Sequence, residues 1–297
     1  MDVDYLAHYP AALHGGPTPT GEWWRWGPHD LRLHRLPAPE APVVAVVLHG
    51  AGGHGAMLLP YGRLAEGRAE VIAPDLPGYG DTRVGGPVTW SDWIACVADL
   101  VRAQDRPVVL LGASLGGMLA YEVAATVGAS GDHRVRHVVA TCLADPSDRR
   151  VRRAAARWPL LGEHGPALLG ATRVADPLRV PVRWLTRMTA MSADPALTDL
   201  VCRDPRGGGG RVSLRFLRTW MTSRPTVAPE DFTVCPVTLT HPAADTWTPP
   251  ALSIRFLERI AAPTELVMLE NAGHLPVEQP GLDQLRAALH RGWDGLS

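Results

Sequence analysis

The sequence contains no lysine; all 29 basic residues are arginine. Chemistry that needs an amine is therefore excluded, including Schiff-base and pyridoxal-phosphate catalysis and the lysine of a P-loop. Cysteine is scarce as well. Cys96, Cys142, Cys202 and Cys235 are widely spaced and form no C-x-x-C pair, which argues against a zinc ribbon or a redox motif. Cys142 and Cys235 are expected at opposite ends of neighbouring strands, too far apart for a bridge. No run approaches the ~18 apolar residues of a membrane span. Met1-Asp-Val-Asp-Tyr5 lacks the positive start and apolar core of a signal peptide. The formal net charge is -1, so nothing favours nucleic acid or an acidic membrane surface. A soluble, cytoplasmic protein is expected.

What the sequence does have is apolar material, 46% over 297 residues, enough for a sizeable core. Val43–Leu48, Val71–Ala73, Val108–Leu111, His137–Ala140, Val237–Leu239 and Leu266–Leu269 are short, mostly apolar runs without alternation. They read as strands covered on both faces, as in a parallel sheet. Trp24 and Trp26, then Leu31 and Leu33, alternate and predict an antiparallel pair ahead of them. Helical patterns lie between the strands: 89–104 after Thr89 as N-cap, 116–127, 249–261 and 280–293. This alternation predicts an α/β fold. It stops between 145 and 231, where Trp184–Met191 and Leu214–Met221 have helical spacing. That stretch reads as a mainly helical insert dividing a core of 1–144 and 232–297. Within it, Arg206-Gly-Gly-Gly-Gly-Arg211 reads as a flexible loop.

One serine stands out. Val108-Val-Leu-Leu-Gly-Ala-Ser-Leu-Gly-Gly-Met118 runs from a strand through G-x-S-x-G into a helix rich in small residues. This is the nucleophile-elbow pattern in its expected context. The glycines make room for a sharp turn that holds the Ser114 hydroxyl out. A serine needs a base, and the base needs an orienting group. His274, in Glu270-Asn-Ala-Gly-His-Leu-Pro276, and Asp245, in Leu239-Thr-His-Pro-Ala-Ala-Asp245, both follow strands, where parallel sheets place their sites. Asp145 is an alternative acid, because it follows the strand before the insert. His241 reads as a supporting histidine.

The chain order Ser114, Asp245, His274 is that of the α/β-hydrolase superfamily, which the sequence resembles over nearly its whole length. His49-Gly50 after a strand, Pro74-Asp-Leu-Pro-Gly-Tyr-Gly80 and Gly273-His274-Leu-Pro276 add to the likeness. The resemblance implies an α/β-hydrolase fold: a mostly parallel central sheet flanked by helices, with the insert as a cap over the serine. It also implies an oxyanion hole from the Ala51 and Leu115 N–H groups, with no cofactor and no metal. The loop His49-Gly-Ala-Gly-Gly-His54 is similar to the monoacylglycerol lipase and lysophospholipase-like branch. Ala113 departs from that branch, where a histidine is usual before the nucleophile.

The expected activity is serine carboxylic-ester hydrolysis of a small-molecule ester with a small to medium apolar acyl group. Thioester or lactone hydrolysis and acyl transfer on the same residues are alternatives, as is a non-catalytic ligand-binding homologue. Trp184 and Met188 of the insert are candidate substrate contacts. Arg149, Arg150, Arg152, Arg153 and Arg157 read as a solvated helical face, or as an anchor for an anion. His133 and His137 lack a third ligand, so no metal site is expected. From another class comes an NAD(P)-dependent oxidoreductase. Gly50-Ala-Gly-Gly-His-Gly55 satisfies G-x-G-x-x-G, and Asp75 follows at the spacing of a ribose-binding acid. That reading is set aside, because it leaves Ser114, Asp245 and His274 as coincidence and the same glycines are equally those of an oxyanion-hole loop.

Overall fold

The computed structural model describes residues 4–171 and 173–294. The start Met1-Asp-Val3, read above for its lack of leader character, lies outside them. Among the described residues are ten strands: β1 Thr20–Trp26, β2 His29–Leu36, β3 Val43–Leu48, β4 Ala69–Pro74, β5 Val108–Gly112, β6 Val135–Ala140, β7 Arg179–Pro181, β8 Arg211–Ser213, β9 Val237–Pro242 and β10 Thr264–Leu269. Eight of them form one sheet in the order β1-β2-β4-β3-β5-β6-β9-β10. The first two pairings in that order are antiparallel and the rest parallel. Trp24 faces Leu31 across β1 and β2, as the alternation predicts.

Every residue of β3, β5 and β9 is buried, which accounts for the unbroken apolar runs of β3 and β5. The strand at Leu266–Leu269 is different. β10 is a sheet edge: Leu266 is exposed and only Leu269 is fully buried. A short apolar run does not tell an edge strand from a central one. At the other edge, Arg83 lies 4.4 Å over the Trp23 ring, a cation–π contact that covers exposed aromatic surface.

The α-helices of the described residues are, in chain order, α1 Gly55–Leu58, α2 Trp90–Arg102, α3 Leu115–Ala129, α4 Arg149–Ala155, α5 Pro159–Ala171, α6 Val182–Leu185, α7 Pro195–Arg203, α8 Leu214–Met221, α9 Pro250–Leu257 and α10 Gly281–Asp294. Thr89 caps α2 in a capping box with Asp92, so two orphan backbone donors are satisfied reciprocally. α3 packs on β5 and β6, α9 on β9 and α10 on β10. No helix among the described residues is long and apolar enough to cross a membrane.

Between β6 and β9 stand α4 to α8 with the antiparallel ladder β7–β8. The ladder was not expected; three-residue strands carry too little pattern to be read. The helical spacing of Trp184–Met191 resolves into α6 and a single 3-10 turn, separated by extended Thr186, which pairs with Ala156. Phe216 of α8 anchors the insert, its ring 4.5 Å from that of Trp93 in α2. The reading of 206–211 as a flexible loop is corrected. Gly207 and Gly208 are buried. A Cβ on Gly207 would stand 2.4 Å from the Gly52 carbonyl, and one on Gly208 would stand 2.7 Å from that of Val201. These glycines serve close packing against the loop after β3, not mobility.

Asp204 locks that contact. Its carboxylate accepts from Tyr5 Oη at 2.8 Å and from Arg206 Nε and Nη2 at 3.2 and 3.1 Å, and it meets His54 Nε2 at 3.0 Å. Burial would push its pKa up, but the bonds from His54, Arg206 and Tyr5 hold it well below the usual carboxylate range. A carboxyl lowered on folding contributes stability above its unfolded value, and loses it as pH falls through the folded one. Asp204→Asn should therefore cost about 3 kcal/mol near neutral pH, by leaving its partners buried without the charge. Urea titration should show the gap to wild type narrowing steadily below about pH 4. A gap independent of pH would contradict this account.

Candidate active site

Ser114 sits between β5 and α3 with φ 56° and ψ -125°, a left-handed conformation that only a tightly determined turn sustains. The glycines around it explain how the turn fits. A Cβ on Gly112 would lie 2.1 Å from the Gly116 carbonyl, and one on Gly116 would lie 2.2 Å from that of Leu48. Thr141 Oγ1 accepts from the Ser114 N–H at 2.9 Å.

The residues singled out from sequence meet at this turn. His274 Nε2 is 2.8 Å from Ser114 Oγ, and His274 Nδ1 is 2.8 Å from Asp245 Oδ2. Asp245 also accepts from the N–H groups of Trp247 at 2.7 Å and Thr248 at 3.1 Å, and from Thr248 Oγ1. Burial raises its pKa, yet His274, Thr248 and Trp247 outweigh that and bring it to about 2. It is a charged acceptor across the neutral range, so the imidazole is held with its proton on Nδ1 and Nε2 free to accept.

Asp145 is not part of this array. Its carboxylate accepts from the N–H and Oγ of Ser147 and forms a turn at the start of the insert. His241 is wholly buried beside the site. Burial lowers its pKa, and Nδ1 is bonded to the Pro242 carbonyl.

The loop after β3 faces the serine. A Cβ on Gly50 would be 2.9 Å from Leu115 N. His49 fixes the loop: Nδ1 is bonded to the Gly50 carbonyl at 2.9 Å, and Nε2 accepts from Leu76 N–H at 3.0 Å. Burial lowers its pKa to about 4, so it works as a neutral tie. Among the described residues, neither the Ala51 nor the Leu115 N–H has a backbone acceptor. Both line the same cavity as Ser114.

The fingerprint match at Gly50–Gly55 does not extend to Asp75, whose carboxylate is wholly buried. It accepts from the N–H groups of Gly55 at 2.7 Å and Asp81 at 2.8 Å, with His34 Nε2 at 3.2 Å. No oxygen of it is left for a ribose. A Cβ on Gly55 would meet the Ala73 carbonyl at 2.4 Å, so the last glycine answers to packing.

Sequence reasoning missed Trp247. Its ring lies 4.6 Å from that of His274, its N–H binds Asp245, and its indole Nε1 donates to the Ala155 carbonyl at the end of α4. It ties the histidine to the insert. The available signal was its place two residues after Asp245. Of the two candidate substrate contacts, Trp184 lines the Ser114 cavity and is largely exposed. Met188 does not line it. It is buried behind Gly52 and Gly208, where it packs the loop in place. The Arg149–Arg157 cluster is mostly a solvated face, with Arg149 and Arg153 paired to Glu163.

A strand–turn–helix serine, backed by a histidine and a carboxylate at the strand ends of a mostly parallel sheet, is the arrangement of the α/β hydrolases. Residues 45–283 match the model of the Alpha/beta hydrolase family, and the chain belongs to that family. Lipase LipV of Mycobacterium tuberculosis is 32% identical over 151 residues, which cover 43% of this chain and 56% of that protein. The chain thus spans little more than half of that relative. The fold is similar to that of a monoglyceride lipase variant from Saccharomyces cerevisiae (TM-score 0.73, 14% identity, 94% of this chain and 97% of that one). It is also similar to a monoacylglycerol lipase from Paleococcus ferrophilus (TM-score 0.67, 20% identity, 90% and 99%).

Proposed function

We propose that the protein is a serine hydrolase that cleaves carboxylic esters through an acyl-enzyme. The observation that carries this is the bonded array Ser114–His274–Asp245, with Ser114 held at positive φ on the wall of an apolar cavity. Ser114 Oγ attacks the acyl carbon as His274 Nε2 takes its proton. Asp245 orients the imidazole and balances its charge. The Ala51 and Leu115 N–H groups receive the developing oxyanion, and each such donor is worth ~3 kcal/mol. His274 returns the proton to the leaving alcohol, and water then releases the acid. The insert, residues 145–231, acts as a cap. A cytoplasmic location belongs to the same reading and rests on the four unbridged cysteines.

The cavity holds about 270 Å³. Leu161, Leu168, Trp184 and Leu217 of the insert line it together with Trp247, a lining suited to an alkyl chain. A series of p-nitrophenyl esters tests the reading. kcat/KM should rise about three- to fourfold per methylene from acetyl to medium chains, then level off where the cavity ends. Trp184→Ala should flatten the rise. A flat wild-type series with acetyl best would remove the apolar-acyl assignment.

A further inference from the structure

A second cavity, of about 310 Å³, lies beside the first. Tyr79, Val212 and Phe216 line both, so the two cavities adjoin there. The two differ in charge. The charged residues around the second cavity are Arg179, Arg211, Arg215 and Asp176. Asp176 is already committed. Arg218 binds it through Nε at 2.9 Å and Nη2 at 2.6 Å, and Arg215 stands 3.9 Å away.

Arg179 and Arg211 are held without being neutralised. Arg179 Nη2 donates to the Arg211 carbonyl at 2.8 Å, and Arg211 Nε donates back to the Arg179 carbonyl at 3.1 Å. Each guanidinium is thus fixed by the other strand's backbone, on the ladder β7–β8. Neither is paired with a carboxylate among the described residues. Both side chains are exposed on the lining of the second cavity, each keeps N–H donors beyond these bonds, and an anion between them would balance their charge.

We infer that the substrate's leaving group carries an anion, a carboxylate or a phosphate monoester, which seats among Arg179, Arg211 and Arg215 in the adjoining cavity, past Tyr79 and Phe216 from Ser114. The inference rests on the serine-hydrolase reading. The apolar cavity takes the acyl chain, so the charged end lies on the alcohol side. Ser114 Oγ bonds to the acyl carbon, and the ester C–O bond breaks. The departing oxygen takes the proton from His274, and the alcohol leaves with its anion unchanged.

Three octanoyl esters test this: those of benzyl alcohol, para-(hydroxymethyl)benzoate and para-(hydroxymethyl)phenyl phosphate. At about 20 mM ionic strength, at least one anionic ester should exceed the neutral one about tenfold in kcat/KM. The advantage should shrink to about twofold or less near 0.5 M salt. Which anion is preferred identifies the headgroup. In the double variant Arg179→Gln, Arg211→Gln the ratio of anionic to neutral ester should fall to about one. Equal rates for all three esters in the wild type would overturn the inference, and so would a salt-insensitive preference or one that survives in the double variant. The wild-type salt dependence needs no variant to fold. Neutral-ester turnover lost in Ser114→Ala keeps the serine reading standing if the anion preference fails. Turnover that survives Ser114→Ala overturns both.

Discussion

Ser114→Ala should lower kcat for ester hydrolysis by about 10⁶-fold while leaving the fold intact, since the nucleophile of a bonded array cannot be replaced by its partners. The fold should survive because the serine side chain is not part of the core; the turn is held by Gly112, Gly116 and the bond from its own N–H to Thr141. A fluorophosphonate should label the wild type at Ser114 alone, read by mass mapping of the adduct. Labelling at another serine, or near-native turnover in the variant, would remove Ser114 from the chemistry.

Asp245→Asn should lower kcat about 10⁴-fold. An amide nitrogen facing His274 Nδ1 would favour the wrong tautomer, in which the proton sits on Nε2 and the base has nothing with which to accept. The charge is lost as well, so the imidazolium formed in the transition state goes unbalanced. Asp145→Asn should stay within about tenfold of wild type, since Asp145 serves the Ser147 turn. Steady-state kinetics on one activated ester separate the two. If Asp145→Asn proves the more damaging, the acid lies before the insert.

Much of the core was legible because its signals are local. The Ser114 turn is written in five adjacent residues, and the α2 cap in Thr89 and Asp92. Apolar runs marked the strands, since a covered parallel sheet leaves no polar face to confuse them. What stayed hidden depends on contacts between distant segments. Met188 reads as a pocket residue by type, yet it fills the space left by Gly52 and Gly208. Gly207 and Gly208 read as a tether by composition, and only the approach of the Gly52 loop shows that they are small for packing. Trp247 has an ordinary sequence setting; its importance comes from a carbonyl more than ninety residues earlier.

The Asp204 lock makes the insert and the loop bearing Ala51 a single mechanical part. His54 on one side and Asp204 on the other are both wholly buried, and the glycine run leaves no slack between them. An insert transplanted from a relative would therefore carry in its own seating for that loop, or none. Swapping residues 145–231 to change acyl preference should disturb the geometry around the carbonyl oxygen as well as the pocket. Chimeras that keep 204–208 from this chain, and exchange only α4 to α6, are the ones in which specificity can be altered separately from rate.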